Sequence, residues 1–266
     1  MTENRKIMDR RNFLIKCASF MAGSLIGLNS FSKAFAYGKC KEKSLFQPRI
    51  SLIIDDIGYS FTRTRRFLEI GAPITFAILP RLPNTHDHAR EIHAHGHEIM
   101  LHQPMEPYNS NLDPGPGALY VGDGTGRIVR IMEENLSDVP FAIGVNNHMG
   151  SKFTSCQKEI KETLMVIKER DLFFVDSLTS SHSMAYRTAK KLQLATACRN
   201  IFLDDDPSES VILSQLVKLK RYAFAYGHAI GIGHPYTETA KAIGRFMRSN
   251  EESDLCLVHI SKLIRT

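Results

Sequence analysis

Short β-rich runs alternate with segments of helical periodicity from residue 50 onwards, and this alternation limits the possible folds more than any other feature of the chain. The runs are residues 50–54, 74–79, 98–101, 141–145, 172–175, 200–203, 229–232 and 255–260. Helical periodicity is clearest over 159–168, 211–226 and 237–247. Such alternation predicts parallel strands joined by helical crossovers. Seven or eight units in about 220 residues favour a single-domain, closed or nearly closed β/α barrel, with an open doubly wound sheet as the alternative.

The first residues have the pattern of an export signal. Arg10 and Arg11 begin a twin-arginine motif, an apolar stretch rich in small residues follows it, and Ala34-Phe35-Ala36 matches an A-x-A cleavage site. The apolar stretch is too short and too rich in Gly and Ser to predict a stable membrane span in the mature protein. An amphipathic helix belonging to the fold and an uncleaved anchor are the alternatives.

We therefore predict a twin-arginine-type signal peptide over residues 1–36, a linker over 37–48 and one domain over 49–266. The predicted location is periplasmic or secreted, and the twin-arginine export machinery is the expected partner during secretion.

The charge of the chain gives little support for a nucleic-acid partner. Of the net charge of +6, residues 1–36 carry +4, from six Lys/Arg and two Asp/Glu, which leaves about +2 for the rest. The sequence has no Lys/Arg block with interleaved aromatic residues, so we expect no nucleic-acid binding.

Acidic and imidazole side chains follow five of the predicted strands. They are Asp55 and Asp56, His102, His148, Asp176 and His234. In a β/α barrel the carboxyl ends of all strands open on one face, so we expect these side chains to converge. Helix capping is the competing explanation for the acids, but histidine is not a favoured cap. For residues 204–206, which precede Pro207, a turn is as good an interpretation as a functional site.

Asp56, His102 and His148 together form a carboxylate and imidazole set of the kind that binds zinc. A divalent metal, with zinc as the expected ion, would polarise a carbonyl group and activate water. Asp55 is then the candidate base, and His234 the candidate acid that protonates the leaving group.

Two further candidates are less well supported by their positions. Asp176 is an additional catalytic candidate, and Glu106 is a reserve metal ligand. The stronger candidates also have structural alternatives. Asp55 and Asp56 could form a turn, and His102 could be a histidine packed in the core and not a metal ligand.

Six motifs in order resemble the divergent polysaccharide deacetylase family, which is similar to the NodB-like carbohydrate esterases. They are Ile53-Ile54-Asp55-Asp56-Ile57-Gly58, Gly96-His97-Glu98 with Leu101-His102-Gln103-Pro104-Met105-Glu106-Pro107, Gly115-Pro116-Gly117-Ala118-Leu119, Gly144-Val145-Asn146-Asn147-His148-Met149-Gly150-Ser151, Phe174-Val175-Asp176-Ser177 and Ile232-Gly233-His234-Pro235. The resemblance extends from about Arg49 to Leu263. It implies a distorted β/α barrel and a divalent metal, usually zinc.

The resemblance also implies roles for individual residues. Asp55 matches the family's base and Asp56 its metal-binding acid, and His234 matches a late histidine that acts as an acid. His102 matches the first histidine of a metal-binding pair, but Glu106 stands where the second would be. We predict that His148 replaces the missing histidine, because it lies near the place of an Arg/Pro-rich motif that this chain lacks.

The predicted function is that of an exported metal-dependent hydrolase, acting on carbon-nitrogen bonds other than peptide bonds. It would remove acyl groups, chiefly acetyl, from an envelope or secreted polysaccharide. The alternative is a catalytically inactive glycan-binding or envelope-organising protein on the same fold, and the replacement at Glu106 motivates it.

Overall fold

A computed structural model describes residues 47–251 and 253–264 of the chain. The twin-arginine motif, the cleavage site and nearly all of the predicted linker therefore lie outside the described residues. Within the described part, no helix is long and apolar enough to cross a membrane.

Nine parallel strands form one sheet in the described part of the chain. They are β1 (Arg49–Ile57), β2 (Ile74–Ile78), β3 (Glu98–Met105), β4 (Ala142–Met149), β5 (Phe173–Asp176), β6 (Thr196–Cys198), β7 (Ile201–Phe202), β8 (His228–Gly233) and β9 (Cys256–Leu257). Eight of them follow the order β6-β5-β4-β3-β2-β1-β8-β7, and β9 pairs with β1. The eight curl into a half-barrel, so the predicted distorted β/α barrel is confirmed.

Seven α-helices lie between the strands of the described region. They are α1 (Phe61–Leu68), α2 (Thr85–Ala94), α3 (Thr125–Asp138), α4 (Gln157–Glu169), α5 (Ala185–Lys191), α6 (Glu209–Tyr226) and α7 (Thr237–Arg248). The periodicity over 159–168, 211–226 and 237–247 thus identified three of them. The strand β6 was missed because its three residues, Thr-Ala-Cys, are too few to show a pattern.

Side chains of alternate strand residues fill two separate cores. Leu52 and Ile54 of β1 belong to the larger core, which the helices cover. Ile53, between them, points the other way into a smaller core inside the half-barrel, together with Ala77, Met100, Val175, Ile230 and Ile232. Ile260 closes this inner core at the amino ends of the strands, where its backbone N–H donates to Thr75. The packed interior leaves the carboxyl ends of the strands as the open face.

Candidate metal centre

The end of β1 is distorted in a way that brings two neighbouring carboxylates to the same place. Successive residues of a regular strand point to opposite faces. Here the register between β1 and β2 shifts between Ile54 and Ile57, and Asp56 has a φ of 56°. Such a conformation is uncommon for residues other than glycine, although aspartate adopts it more readily than most. Its result is that Asp55 Oδ2 and Asp56 Oδ1 lie 3.7 and 3.1 Å from the same atom, His102 Nε2.

Three potential ligand atoms converge at this end of the half-barrel. Asp56 Oδ1 lies 2.9 Å from His148 Nδ1 and 3.1 Å from His102 Nε2. The two ring nitrogens are 3.2 Å apart. Asp56, His102 and His148 belong to three different strands or strand ends, which the barrel topology brings together. The structure thus groups the three residues that the sequence analysis predicted as metal ligands.

The chemistry of this group fits a divalent cation. Asp56 Oδ1 is buried, and no described residue donates to it in hydrogen-bond geometry, although the ring nitrogens of His102 and His148 lie 3.1 and 2.9 Å away. A buried carboxylate oxygen without a donor is costly. A cation between the carboxylate and the two imidazoles would satisfy this oxygen and the ring nitrogens together, and one carboxylate with two imidazoles is a common zinc set.

Asn146 of β4 fixes the orientation of His102. Its Oδ1 lies 2.8 Å from His102 Nδ1 and accepts the ring N–H, so the lone pair of Nε2 faces Asp56. The amide Nδ2 of Asn146 then donates to Asp55 Oδ1 at 2.8 Å. One side chain therefore positions both a candidate ligand and the neighbouring carboxylate.

His234, at the carboxyl end of β8, forms two hydrogen bonds with Asp204. His234 Nδ1 lies 2.9 Å from Asp204 Oδ1, and its backbone N–H donates to Asp204 Oδ2 at 2.6 Å. Thr239 donates a further hydrogen bond to Asp204 Oδ2 at 2.8 Å. The other ring nitrogen, Nε2, faces the site and lies 3.8 Å from Asp56 Oδ2. Asp204 and His234 thus form an oriented carboxylate–imidazole pair.

The environment separates the proton affinities of the two adjacent acids. Burial raises the pKa of Asp55 and outweighs the opposing charges of His102 and His234. Burial also acts to raise the pKa of Asp56, but contacts with His102 and His148 hold it well below its usual range. Asp56 is therefore an anion suited to bind a cation, whereas Asp55 has the higher proton affinity expected of a base.

The pKa of His234 is raised, whereas burial alone lowers the pKa of a histidine. Burial lowers its pKa, but the hydrogen bond to Asp204 and the charges of Asp56, Asp204 and Asp55 outweigh burial and raise the pKa to about 9. His234 therefore carries a proton at neutral pH, as a general acid must.

Two predicted site residues lie outside this group. Asp176 is buried at the end of β5, where its carboxylate accepts hydrogen bonds from Ser183 Oγ at 2.7 Å and from the backbone N–H groups of Leu178 and Tyr186 at 2.9 and 3.1 Å. These contacts organise the loop that leads into α5. The contacts of Asp176 therefore support a structural role in this loop and give no support to the predicted catalytic role.

Glu106 has a different set of partners from those of a metal ligand. Its Oε1 forms an ion pair with Lys152 Nζ at 2.6 Å, and its Oε2 accepts from the backbone N–H of Val121 at 2.8 Å. Both oxygens are occupied in tying β3 to neighbouring loops, so the reserve role has no support from its contacts.

The sequence analysis did not assign two residues that complete the site, Asn146 and Asp204, although it left residues 204–206 open between a turn and a functional site. Asn146 and His148 lie two positions apart in β4, and the period of a strand would have placed them on the same side. Asp204 is the first of three consecutive aspartates and the one nearest the preceding strand. That position was the available signal that Asp204, rather than Asp205 or Asp206, faces the site.

The sequence model described as divergent polysaccharide deacetylase matches residues 52–264. The chain belongs to this family. It is 31% identical over 231 residues to the uncharacterized protein YibQ of Escherichia coli K12, a match that covers 87% of this chain and 72% of that protein.

Two solved structures show the same fold. An uncharacterized protein from Agrobacterium tumefaciens C58 matches 87% of this chain and 94% of its own, with a TM-score of 0.79 and 24% identity. The catalytic domain of a peptidoglycan N-acetylglucosamine deacetylase from Eubacterium rectale matches 82% of this chain and 90% of its own, with a TM-score of 0.53 and 12% identity. The chain is thus a polysaccharide deacetylase-like protein on a NodB-like barrel, with a candidate Asp/His metal site.

Proposed function

We propose that this protein is a metal-dependent hydrolase that removes acetyl groups from the amino sugars of an envelope or secreted polysaccharide. The observation that carries the proposal is the pairing of one candidate metal group, Asp56, His102 and His148, with a base and an acid on either side of it. The chain's membership of the deacetylase family supports the choice of substrate class.

Asp56, His102 and His148 would hold the ion. When bound, a divalent cation supplies a positive charge that polarises the acyl carbonyl and makes water more acidic. Zinc fits the carboxylate and imidazole donors of this chain.

Asp55 is the residue that would take a proton from the attacking water. Its Oδ1 is engaged by Asn146, which leaves Oδ2 directed at the metal group, 3.7 Å from His102 Nε2. Its raised pKa brings it closer to the operating pH, and this favours proton transfer.

His234 would deliver a proton to the departing amine. Its Nδ1 is fixed by Asp204, so the protonated Nε2 faces the site. Loss of an amine from a tetrahedral intermediate requires such a proton because an unprotonated amide anion is a very poor leaving group. Asp204 keeps the ring charged and oriented for this step.

We also propose that the protein acts outside the cytoplasm. Arg10, Arg11 and the sequence Ala34-Phe35-Ala36 support export through the twin-arginine machinery, and the polymers concerned are found in or beyond the cell envelope. A fusion of residues 1–36 to a reporter, with both arginines changed to lysine as the control, would test this directly.

The activity test compares the protein with two variants after loading with one equivalent of zinc. We expect acetate release from N-acetylglucosamine oligomers or peptidoglycan fragments. Asp55→Asn should lower kcat by about 100-fold or more while it retains its metal, because only the base is lost. His148→Ala should lose the metal and the activity together.

The decisive comparison is between metal content and turnover. A fully metal-loaded protein that binds the glycans and releases no acetate across the panel would contradict hydrolysis. That result would favour the inactive glycan-binding alternative. Loss of metal in Asp55→Asn would show that the roles of the two acids are exchanged.

A further inference from the structure

A cavity of about 190 Å³ adjoins the candidate metal centre. Asp56 and His234 line the end that it shares with the centre, and the loops that follow β1 and β8 form its walls. Tyr59 and Tyr236 project from these two loops, with 67% and 39% of their surfaces exposed. A sugar bound in the cavity would therefore lie beside the candidate metal centre and could contact either aromatic side chain.

Arg63 of α1 also lines this cavity, and it has no ion-pair partner among the residues that the structure describes. The other two arginines of the same helix are engaged. Arg65 pairs with Glu91 at 2.6 Å, and Arg66 donates a hydrogen bond to Thr237 of α7. Arg63 is thus a cation facing a cavity beside the metal centre without an internal counter-charge.

The position of Arg63 does not serve the stability of its helix. It lies in the first turn of α1, which contains no acidic residue. A cation there is opposed by the positive end of the helix dipole. A residue that works against local stability while it faces a site is a candidate for binding.

Tyr236 provides a second donor near Arg63. Burial raises the pKa of Tyr236, as do the charges of Asp204 and Asp56, and the guanidinium of Arg63 opposes them. The phenol and the guanidinium line the same cavity. Both can donate hydrogen bonds to one oxygen anion, and arginine does so in a bidentate manner to carboxylates.

We propose that Arg63 binds a carboxylate carried by the sugar next to the acetylated one, so that the substrate is an acidic polysaccharide. Tyr236 contributes a second hydrogen bond to the same group. This inference rests on the proposed function, because it assigns the substrate class of that deacetylase site. Two sources offer the same chemistry, namely the carboxylate of a uronic acid and the lactyl carboxylate of a muramic acid.

The test uses three tetrasaccharides that share N-acetylglucosamine and differ in the neighbouring sugar. They are a chitin tetrasaccharide, which is neutral, a hyaluronan tetrasaccharide, which carries uronic acids, and a peptide-free peptidoglycan tetrasaccharide, whose N-acetylmuramic acids carry free lactyl carboxylates. Calorimetry on the zinc-loaded protein gives the Kd of each, and acetate assays give kcat and KM. The variants are Arg63→Gln, Arg63→Lys and, as a matched control on the same helix, Arg65→Gln.

We expect at least one acidic tetrasaccharide to bind about 10-fold more tightly than chitin tetrasaccharide, since a hydrogen bond to a charged group contributes this much. Arg63→Gln should remove that preference through Kd and KM, and leave the Kd for chitin tetrasaccharide within about 2-fold. Arg63→Lys should restore part of the preference, and Arg65→Gln should keep all of it. The acidic probe that responds identifies the source of the carboxylate.

Equal binding of all three tetrasaccharides, or an acidic preference that survives in Arg63→Gln, would overturn the inference. These outcomes are separate from failure of the proposed function. Acetate release without any acidic preference would retain the deacetylase and reject the Arg63 subsite. Arg63-dependent binding without acetate release would retain the subsite and reject the deacetylase.

Discussion

The amide group of Asn146 connects a candidate metal ligand, His102, to the candidate base, Asp55. It accepts from His102 Nδ1 at 2.8 Å and donates to Asp55 Oδ1 at 2.8 Å. The same amide also lies 3.3 Å from Ser177 Oγ. Residues that orient metal ligands in this way commonly contribute to metal affinity as much as to rate.

Replacing Asn146 with alanine should therefore weaken zinc binding by about 10- to 100-fold, because His102 loses the contact that fixes its tautomer and ring orientation. Competition with a chromogenic chelator measures the change. An unchanged zinc affinity in a folded Asn146→Ala protein would show that the amide does not orient the ligand.

Asp204 should matter for turnover and not for metal binding. Asp204→Asn removes the charge that keeps His234 protonated, so kcat should fall by about 100-fold while KM and zinc content change little. Asp205→Asn is the matched control, because Asp205 follows in the same acidic run and is exposed. Similar kcat values for the two variants would remove His234 from the role of acid.

At the scale of elements, β4 and β5 pack so closely at Gly144 that a side chain there would clash with the adjacent strand. A Cβ on Gly144 would overlap the ring of Phe173 in the adjacent strand. The close contact positions the polar end of β4, Asn146 to His148, beside the neighbouring strands.

Gly144→Ala should lower the free energy of unfolding by about 1–3 kcal/mol through this overlap. Urea unfolding gives the value. Gly126→Ala is the control, because a Cβ at Gly126 in α3 meets open space and alanine is the better helix former. A Gly144→Ala protein as stable as the control would show that the strands can separate at no cost.

Sequence patterns predicted the long elements well and the polar strand ends less well. Helices α4, α6 and α7 have clear apolar faces, so their periodicity was visible. By contrast, β4 was predicted to end at residue 145, but it continues to Met149 because its polar residues pair with β3 as far as Met105. Hydrophobic patterns cannot show a strand whose side chains face a polar site.

The same limit explains which site residues were found. Asp56, His102 and His148 could be selected because their residue types are metal ligands near strand ends. Asp176 has the same local pattern, yet its carboxylate binds backbone amides of the next loop. Hydrophobic periodicity does not predict the path of that loop. Only the three-dimensional structure therefore distinguishes Asp176 from the three candidate ligands.

At the scale of the whole molecule, histidine pKa values shift in opposite directions at the two ends of the half-barrel. The pKa of His234 is raised at the carboxyl ends of the strands, and that of His97 is lowered near their amino ends. His97, near the amino ends of the strands, is 4% exposed, and its Nδ1 lies 3.2 Å from the carbonyl oxygen of Ile74. Burial, together with nearby His259 and His95, lowers its pKa from 6.5 to about 4. His97 is thus neutral in the folded protein at pH values where the unfolded chain is protonated.

The sign of the pH effect follows from this difference. Below pH 6.5 the unfolded state takes up a proton that folded His97 does not bind until about pH 4, so stability is lost as the pH falls through this window. Between pH 8 and pH 5 the loss from this residue should be about 2 kcal/mol. Urea unfolding at both pH values, compared with His97→Gln, should show that the variant loses less.

His182→Gln is the control for this comparison, because His182 is exposed. It should lose as much stability as the unmodified protein between the two pH values. A pH dependence that is identical in His97→Gln and in the unmodified protein would show that His97 has no such role.

Anomalous diffraction at the zinc edge, from crystals of protein loaded with one equivalent of zinc, tests the central claim most directly. We expect one strong peak coordinated by Asp56 Oδ1, His102 Nε2 and His148 Nδ1, with Asp55 and His234 outside the ligand set. A zinc ion bound elsewhere, or no ordered ion at this end of the barrel, would contradict the claim.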